Sequence, residues 1–217
     1  MAAKTVVWAG LDYSMVRMIG TDNLSILYNF TVPDAIFPSM PEKWNQLFLD
    51  ERVERVSTTI GKRVLIDIKG VTERNKAASK SQIILTANVG DAIDESHITQ
   101  QDIANEVRSY KMENTNGLGL VFIVDRLIRK YYAPQGMSHG AAVHQIRTSS
   151  KAAIYVVFFD IATREVISVE RKVHDVWTGG NFRNFWFGPI KDTDSSLGRY
   201  RTSRITSIPT SRSGKNQ

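Results

Sequence analysis

The chain has 217 residues, 42% hydrophobic and 23% charged, with 14 Gly, 6 Pro and no Cys, the proportions of an ordinary globular domain. They exclude the collagenous, disulfide-stapled and wholly disordered classes, and the lack of cysteine also removes zinc fingers, thiol nucleophiles and lipid-acceptor cysteines. The formal charge is +6, but five of the 28 basic residues (Arg199, Arg201, Arg204, Arg212 and Lys215) lie in an acid-free end, so the other 23 nearly balance the 22 acids.

A domain that tracks a phosphate backbone needs a basic stripe on its folded face. Here the surplus sits on a Ser/Thr-rich end too poor in apolar residues to order itself. Residues 1–192 are therefore expected to form one domain and residues 193–217 a disordered basic tail, with nucleic-acid or anionic-surface binding as that tail's alternative use. The longest apolar run, Ile154–Phe159, is far short of the roughly 20 residues a membrane-spanning helix needs. The amino end has no apolar signal-peptide core. That fits a cytoplasmic protein, or an exported one beginning at its mature start, the setting favoured here.

In chain order, Thr5 to Tyr13 reads as a first strand. Residues 20–41, with Pro33, Pro38 and Pro41, read as a long loop of the kind that often carries function. Ser39-Met-Pro-Glu42 is a capping box that starts a helix. Its apolar stripe is Trp44, Phe48, Leu49, Val53, Val56 and Ile60, and Gly61 is its left-handed stop. Val64, Ile66 and Ile68 form a half-exposed strand, and Gln82 to Val89 another. A second helix opens at Thr99, with Asp102 closing its box and Ile98 and Ile103 positioned as a hydrophobic staple. Val107 and Tyr110 continue its apolar side, and Asn114 to Gly117 ends it.

Leu118 to Ile128 and Ile154 to Ile161 are apolar at nearly every position, as central strands covered on both faces are. A further strand is predicted over Ala141 to Arg147. Ile154 to Val173 reads as a hairpin whose outer strand sets Ile167, Val169 and Val173 against Ser168, Glu170 and Lys172. Phe182, Phe185, Trp186 and Ile190 have helical spacing and predict a short aromatic closing helix, strained at Pro189. The sum is an α/β fold bordering on α+β. It has a single mixed sheet of about five to seven strands, two main helices and the short aromatic C-terminal helix.

The run Gly119-Leu-Val-Phe-Ile-Val-Asp125, followed by Val156-Val-Phe-Phe-Asp-Ile-Ala-Thr-Arg-Glu-Val166, resembles the second half of the small α/β domains of bacterial envelope proteins. The amino-terminal domain of the Tol-system periplasmic protein and the curli-secretion lipoprotein are the families concerned. The resemblance spans residues 1–192 in element order and about twenty residues in motif. It implies a closing Phe-Asp-x-x-Thr hairpin, here Phe159 to Thr163, and a role in binding protein partners rather than in catalysis. The missing lipid-acceptor cysteine departs from the lipoprotein pattern.

Catalytic signatures are sparse. Gly117-Leu-Gly119 precedes a strand and lacks a third glycine, so it is not a dinucleotide fingerprint, and no phosphate-binding loop motif occurs. Gly136-Met-Ser138-His-Gly140 matches a serine-nucleophile pattern, and Asp160 and His174 follow in hydrolase order. Arg129 to Gln135 separates the serine from the buried strand it should leave, so a serine hydrolase is the alternative and a flexible glycine loop the expectation. The histidines His97, His139, His144 and His174 are spread too thinly for a metal site, and neither metal nor cofactor is expected. Asp67, Asp125 and Asp160 lie in or beside predicted strands, where paired carboxylates could do acid/base work or hold magnesium. The aromatic cluster Trp177 to Phe187 contains Arg183 and two glycines, and Trp177, Arg183 and Trp186 are the candidate contact residues for a partner. The expected function is that of a non-catalytic, envelope-associated binding or structural protein acting through protein contacts.

Overall fold

A strand that is apolar at nearly every position is stable only with both faces covered, and Leu118 to Ile128 is such a strand. In the computed structural model, which describes residues 4–19, 39–78, 84–86, 96–132, 147–175 and 182–201, it lies at the centre of the sheet. This strand, β5 (Leu118–Tyr132), pairs in parallel with β1 (Thr5–Asp12) and β2 (Arg17–Ile19). On its other side it pairs antiparallel with β6 (Arg147–Asp160), which pairs antiparallel with β7 (Val166–Asp175). β3 (Arg63–Ile66) is parallel to β1, and β4 (Ile84–Thr86) is parallel to β2. The α/β expectation holds: among the described residues there is one mixed sheet of seven strands with helices on both faces.

β1 and β2 follow one another along the same side of β5, and β3 and β4 flank them in turn. Two columns of the sheet are therefore interrupted midway. Beyond Trp8 no strand among the described residues accompanies β1 on its β3 side, and the helix α3 (Lys69–Ala77) lies there instead. A strand edge left without partners must satisfy its peptide groups elsewhere. Leu11 N–H donates to Asn45 Oδ1 at 2.7 Å, and Tyr13 N–H donates to Asn75 Oδ1 at 2.7 Å. The Leu11 carbonyl accepts from both amides, Asn45 Nδ2 at 3.0 Å and Asn75 Nδ2 at 2.9 Å. Two side-chain amides thus stand in for the missing ladder. Gly10 has φ of +124° at the register shift before this stretch, and a Cβ there would lie 3.0 Å from Asn45 Oδ1 and 3.3 Å from Val71. Only glycine meets both demands.

One face of the sheet is covered by α1 (Ser39–Glu51), α2 (Val53–Ile60), α5 (Phe182–Ser195) and a 3₁₀ turn over Ser196–Tyr200. Trp8 stacks on Phe48 at 4.1 Å between ring centroids and meets Phe122 edge-on at 4.9 Å. The other face is covered by α3 and α4 (Gln100–Ser109), through Val71, Ile103, Val107 and Tyr110. The Thr99–Asp102 capping box forms as expected, and Ile98 and Ile103 are buried in one cluster. Gly61 takes φ of +64°, with Gly61 N–H on Thr58 O and Lys62 N–H on Ser57 O, a Schellman stop.

Four expectations need correction. The first long helix is bent at Arg52 (φ −124°), whose side chain is drawn away to Asp194, although backbone bonds from Arg52 to Phe48 and from Val56 to Arg52 carry across. The described residues contain five helices rather than three; α3 was missed because Val71 is its sole large apolar residue. α4 ends at Ser109, before Asn114. α5 runs through Pro189 to Ser195, and the folded body continues past residue 192 to Arg201, because Thr193, Asp194, Leu197 and Tyr200 are buried against it. Arg199 is folded too, on Glu170. Residues 202–217, the loop over 20–38 and the strand predicted before Arg147 lie outside the described residues.

Candidate functional site

The interrupted columns leave a turn, Tyr13 to Val16, between β1 and β2, and it faces the register shift of β5 at Asp125. Polar side chains from five elements meet there, on the face covered by α3 and α4.

Asp12, fully buried, accepts from Tyr110 Oη at 2.5 Å and from Ser14 N–H at 2.7 Å. Ser14 Oγ donates to Glu106 Oε1 at 3.2 Å, and Arg74 grips the same carboxylate from α3, Nε on Oε1 at 2.5 Å and Nη2 on Oε2 at 2.8 Å. Burial, reinforced by the charge of Glu106, pushes the Asp12 carboxyl up to about 6 against bonds from Tyr110 and Ser14 that favour its ionised form. Burial likewise drives the Tyr110 hydroxyl well up.

The second network is centred on Asp125, also fully buried. His97 Nδ1 lies 2.8 Å from Asp125 Oδ1, and Arg171 donates to Oδ2 through Nε and Nη2, each at 2.8 Å. Burial pushes this carboxyl up, but His97 and Arg171 together outweigh it and hold it below the usual carboxylate range. The other ring nitrogen, His97 Nε2, is 2.8 Å from the Met15 carbonyl. A histidine beside a carboxylate has the make-up of a general-base pair, yet its far nitrogen is turned onto the backbone, and Ser14 faces Glu106. As arranged, the two networks anchor the Tyr13–Val16 turn to α4, β5 and β7.

The sign of the Asp12 shift makes a prediction. Its folded value of about 6 lies above the ordinary 3.8, so the folded state holds this proton more tightly than the unfolded chain does. The stability contributed by that proton is complete below about pH 4 and is lost as pH rises to about 6. Asp12→Asn is expected to remove this slope and to raise stability at pH 7, relative to pH 4, by on the order of 1–3 kcal/mol. Urea denaturation of both proteins at pH 4, 5 and 7 checks it; an unchanged slope in the variant would count against the assignment.

The three strand-associated acids do not converge. Asp67 accepts from Asn114 N–H at 2.8 Å and Nδ2 at 2.9 Å, Asp160 accepts from Thr163 N–H at 2.9 Å in the hairpin turn, and Asp125 stands apart from both. His174 Nε2 is 2.9 Å from Thr193 Oγ1, and burial lowers its pKa. Among the described residues no three His, Asp or Glu side chains are grouped to hold a metal ion, and no helix is long and apolar enough to cross a membrane. Trp177, Gly136, Ser138, Gly140, His139 and His144 lie outside the described residues. Arg183 and Trp186 fall in α5, their side chains outside the description.

Sequence reasoning missed Arg74, Asn75, Glu106 and Arg171. Two of them carried a signal. Glu106 occupies the apolar stripe Ile103, Val107, Tyr110, and Arg171 shares the strand parity of Val169 and Val173. A charge on a buried face needs a buried partner.

The far edge of the sheet is a second feature. β7 pairs with β6 alone among the described strands. Beside it a groove of about 330 Å³ is lined by Ser168, Val169, Glu170, Arg199 and Tyr200. Glu170 accepts from Lys172, from the Tyr200 hydroxyl and from Arg199 Nη1, the last at 2.6 Å. Val173 is 41% exposed.

No protein-family model matches this chain, and no curated protein matches it. Among solved structures, the hypothetical protein CT253 from Chlamydia trachomatis aligns over 94% of this chain and 96% of its own, at 11% identity and a TM-score of 0.31, a similarity too loose to bear on what this chain does.

Proposed function

We propose that this chain is a non-catalytic binding domain of the bacterial cell envelope, which works by contact with a protein partner along the open edge of its sheet. The observation that carries this reading is β7. It is ten residues long, pairs on one side only among the described residues, and exposes Val173. Such an edge offers a row of peptide donors and acceptors to a further strand. The buried polar side chains support a non-catalytic role, since Ser14, His97 and Asp125 are engaged in holding the Tyr13–Val16 turn. The envelope setting rests on the resemblance of Gly119 to Asp125 and Val156 to Val166 to the Tol and curli domains.

The test is a photo-crosslinking residue placed at Val173, with the exposed Glu54 on α2 as the control position. Adducts are expected from position 173 and not from 54 in intact cells, in the fraction released by osmotic shock. Equal yields from both positions, or none from 173, would remove β7 as the contact surface.

A further inference from the structure

We infer that the partner strand for β7 is β7 of a second copy of this chain, the two running antiparallel about Arg171. The inference rests on β7 being the contact edge and adds the occupant. Which peptide groups of β7 point outward follows from the ladder. Asp160 N–H donates to Glu165 O across the hairpin, while Ile161 N–H donates to Gly117 O on the opposite side. Alternation along β6, with the register shift between Phe158 and Phe159, then directs Ser168, Glu170 and Lys172 inward to β6 and Val169, Arg171 and Val173 outward.

An antiparallel two-fold pair requires outward residues to face outward residues, so its centre falls on an outward residue (Val169, Arg171 or Val173) or on the close pair between two of them, Glu170 or Lys172. At either of the latter two, the residue would meet the same charge on the second copy and be repelled. Centred on Arg171, Val169 faces Val173 of the second copy, and each pair exchanges both backbone bonds. The intervening close pairs set Glu170 against Lys172 of the second copy, and Lys172 against its Glu170. Opposite charges and β-branched side chains thus meet at neighbouring rungs. The exposed Val173 is covered by an apolar partner. Centring on Val169 would place Glu170 against Ser168, and centring on Val173 would place Lys172 against His174; neither matches Glu170 with Lys172. At the chosen centre Arg171 meets its own copy, but each guanidinium is turned back onto its own Asp125 at 2.8 Å, which neutralises it. The groove between β7 and the 3₁₀ turn leaves room on this side for the incoming Lys172 and His174 side chains.

The full chain should sediment as a dimer whose fraction rises with concentration. Val173→Pro removes one outward N–H at an exposed edge position, where proline is tolerated, and Val173→Lys places a charge there. Each should weaken self-association at least tenfold while leaving the circular dichroism spectrum unchanged. Lys172→Glu and Glu170→Lys should each sediment as monomers alone and form a heterodimer when mixed, because only the mixture restores opposite charges across the pair. If Glu170→Lys fails to fold, since Tyr200 and Arg199 lean on Glu170, the two Val173 variants decide. A monomeric full chain at every concentration, or a dimer insensitive to both Val173 variants, overturns the proposal. Crosslinks from position 173 to a different protein, with the chain monomeric, would overturn the second copy and leave the β7 edge standing. A monomer with no adduct from 173 would remove both.

Discussion

Asp194→Ala is expected to lower the stability of the protein by about 3–5 kcal/mol, because it strands a buried cation. The Arg52 side chain is 10% exposed and Asp194 is fully buried. The guanidinium makes two charge-assisted bonds to the carboxylate, one through Nε and one from Nη2 to Oδ1 at 2.6 Å, and the bond with Asp194 raises the Arg52 pKa despite burial. This pair ties the C-terminal half of α5 to the bend between α1 and α2. The site is nearly closed to solvent, with Arg52 10% exposed and Asp194 fully buried, so the cost is mainly the desolvation of an uncompensated charge rather than the modest net value of the pair. The same reasoning makes Arg52→Met combined with Asp194→Leu much milder than either charge removal alone. Guanidinium denaturation at pH 7 measures both; a loss below about 1 kcal/mol for Asp194→Ala would show that the pair is hydrated in solution.

Asp125→Ala is the second large effect, also about 3–5 kcal/mol, with a local signature. It leaves Arg171 and His97, whose side chains are 17% and 16% exposed, without their common acceptor. His97 also holds the Met15 carbonyl, so the Tyr13–Val16 turn loses its anchor, and amide exchange over residues 13–16 should quicken beyond what the fall in global stability accounts for. Arg171→Met should cost less, because Asp125 keeps His97. Uniform quickening across the sheet in Asp125→Ala, with no excess at residues 13–16, would deny the network its role in the turn. Since Arg171 belongs to β7, Asp125→Ala should also loosen the proposed contact edge.

Local patterns accounted for much of the fold. The doubly covered strands β5 and β6, the hairpin to β7, the Thr99–Asp102 box and the stop at Gly61 depend on residues within a few positions of each other, so their spacing alone reveals them. The candidate site was far less legible. Asn75 is 64 residues from the Leu11 carbonyl it serves, and nothing near it in the chain announces that role. α3 could not be recognised by periodicity, since it meets the side of β1 with the amide of Asn75 and the single apolar residue Val71 rather than with an apolar stripe.

The amino-acid sequence by itself determined that this protein builds one mixed α/β layer around Leu118–Ile128 and Ile154–Ile161, because apolar runs of that kind must be covered on both faces wherever the chain leads. It also determined where α2 stops and where α4 starts, because caps are satisfied by neighbours. Only the tertiary structure decided that residues 193–201 belong to the body. Their composition is polar and basic, but Asp194 finds Arg52, 142 residues away, and Leu197 and Tyr200 find the sheet. Only it decided, too, that Asn45 and Asn75 complete an interrupted strand and that Asp12, Glu106 and Asp125 are buried with partners. A polar group's place inside is set by what meets it there, and that meeting is a property of the folded chain.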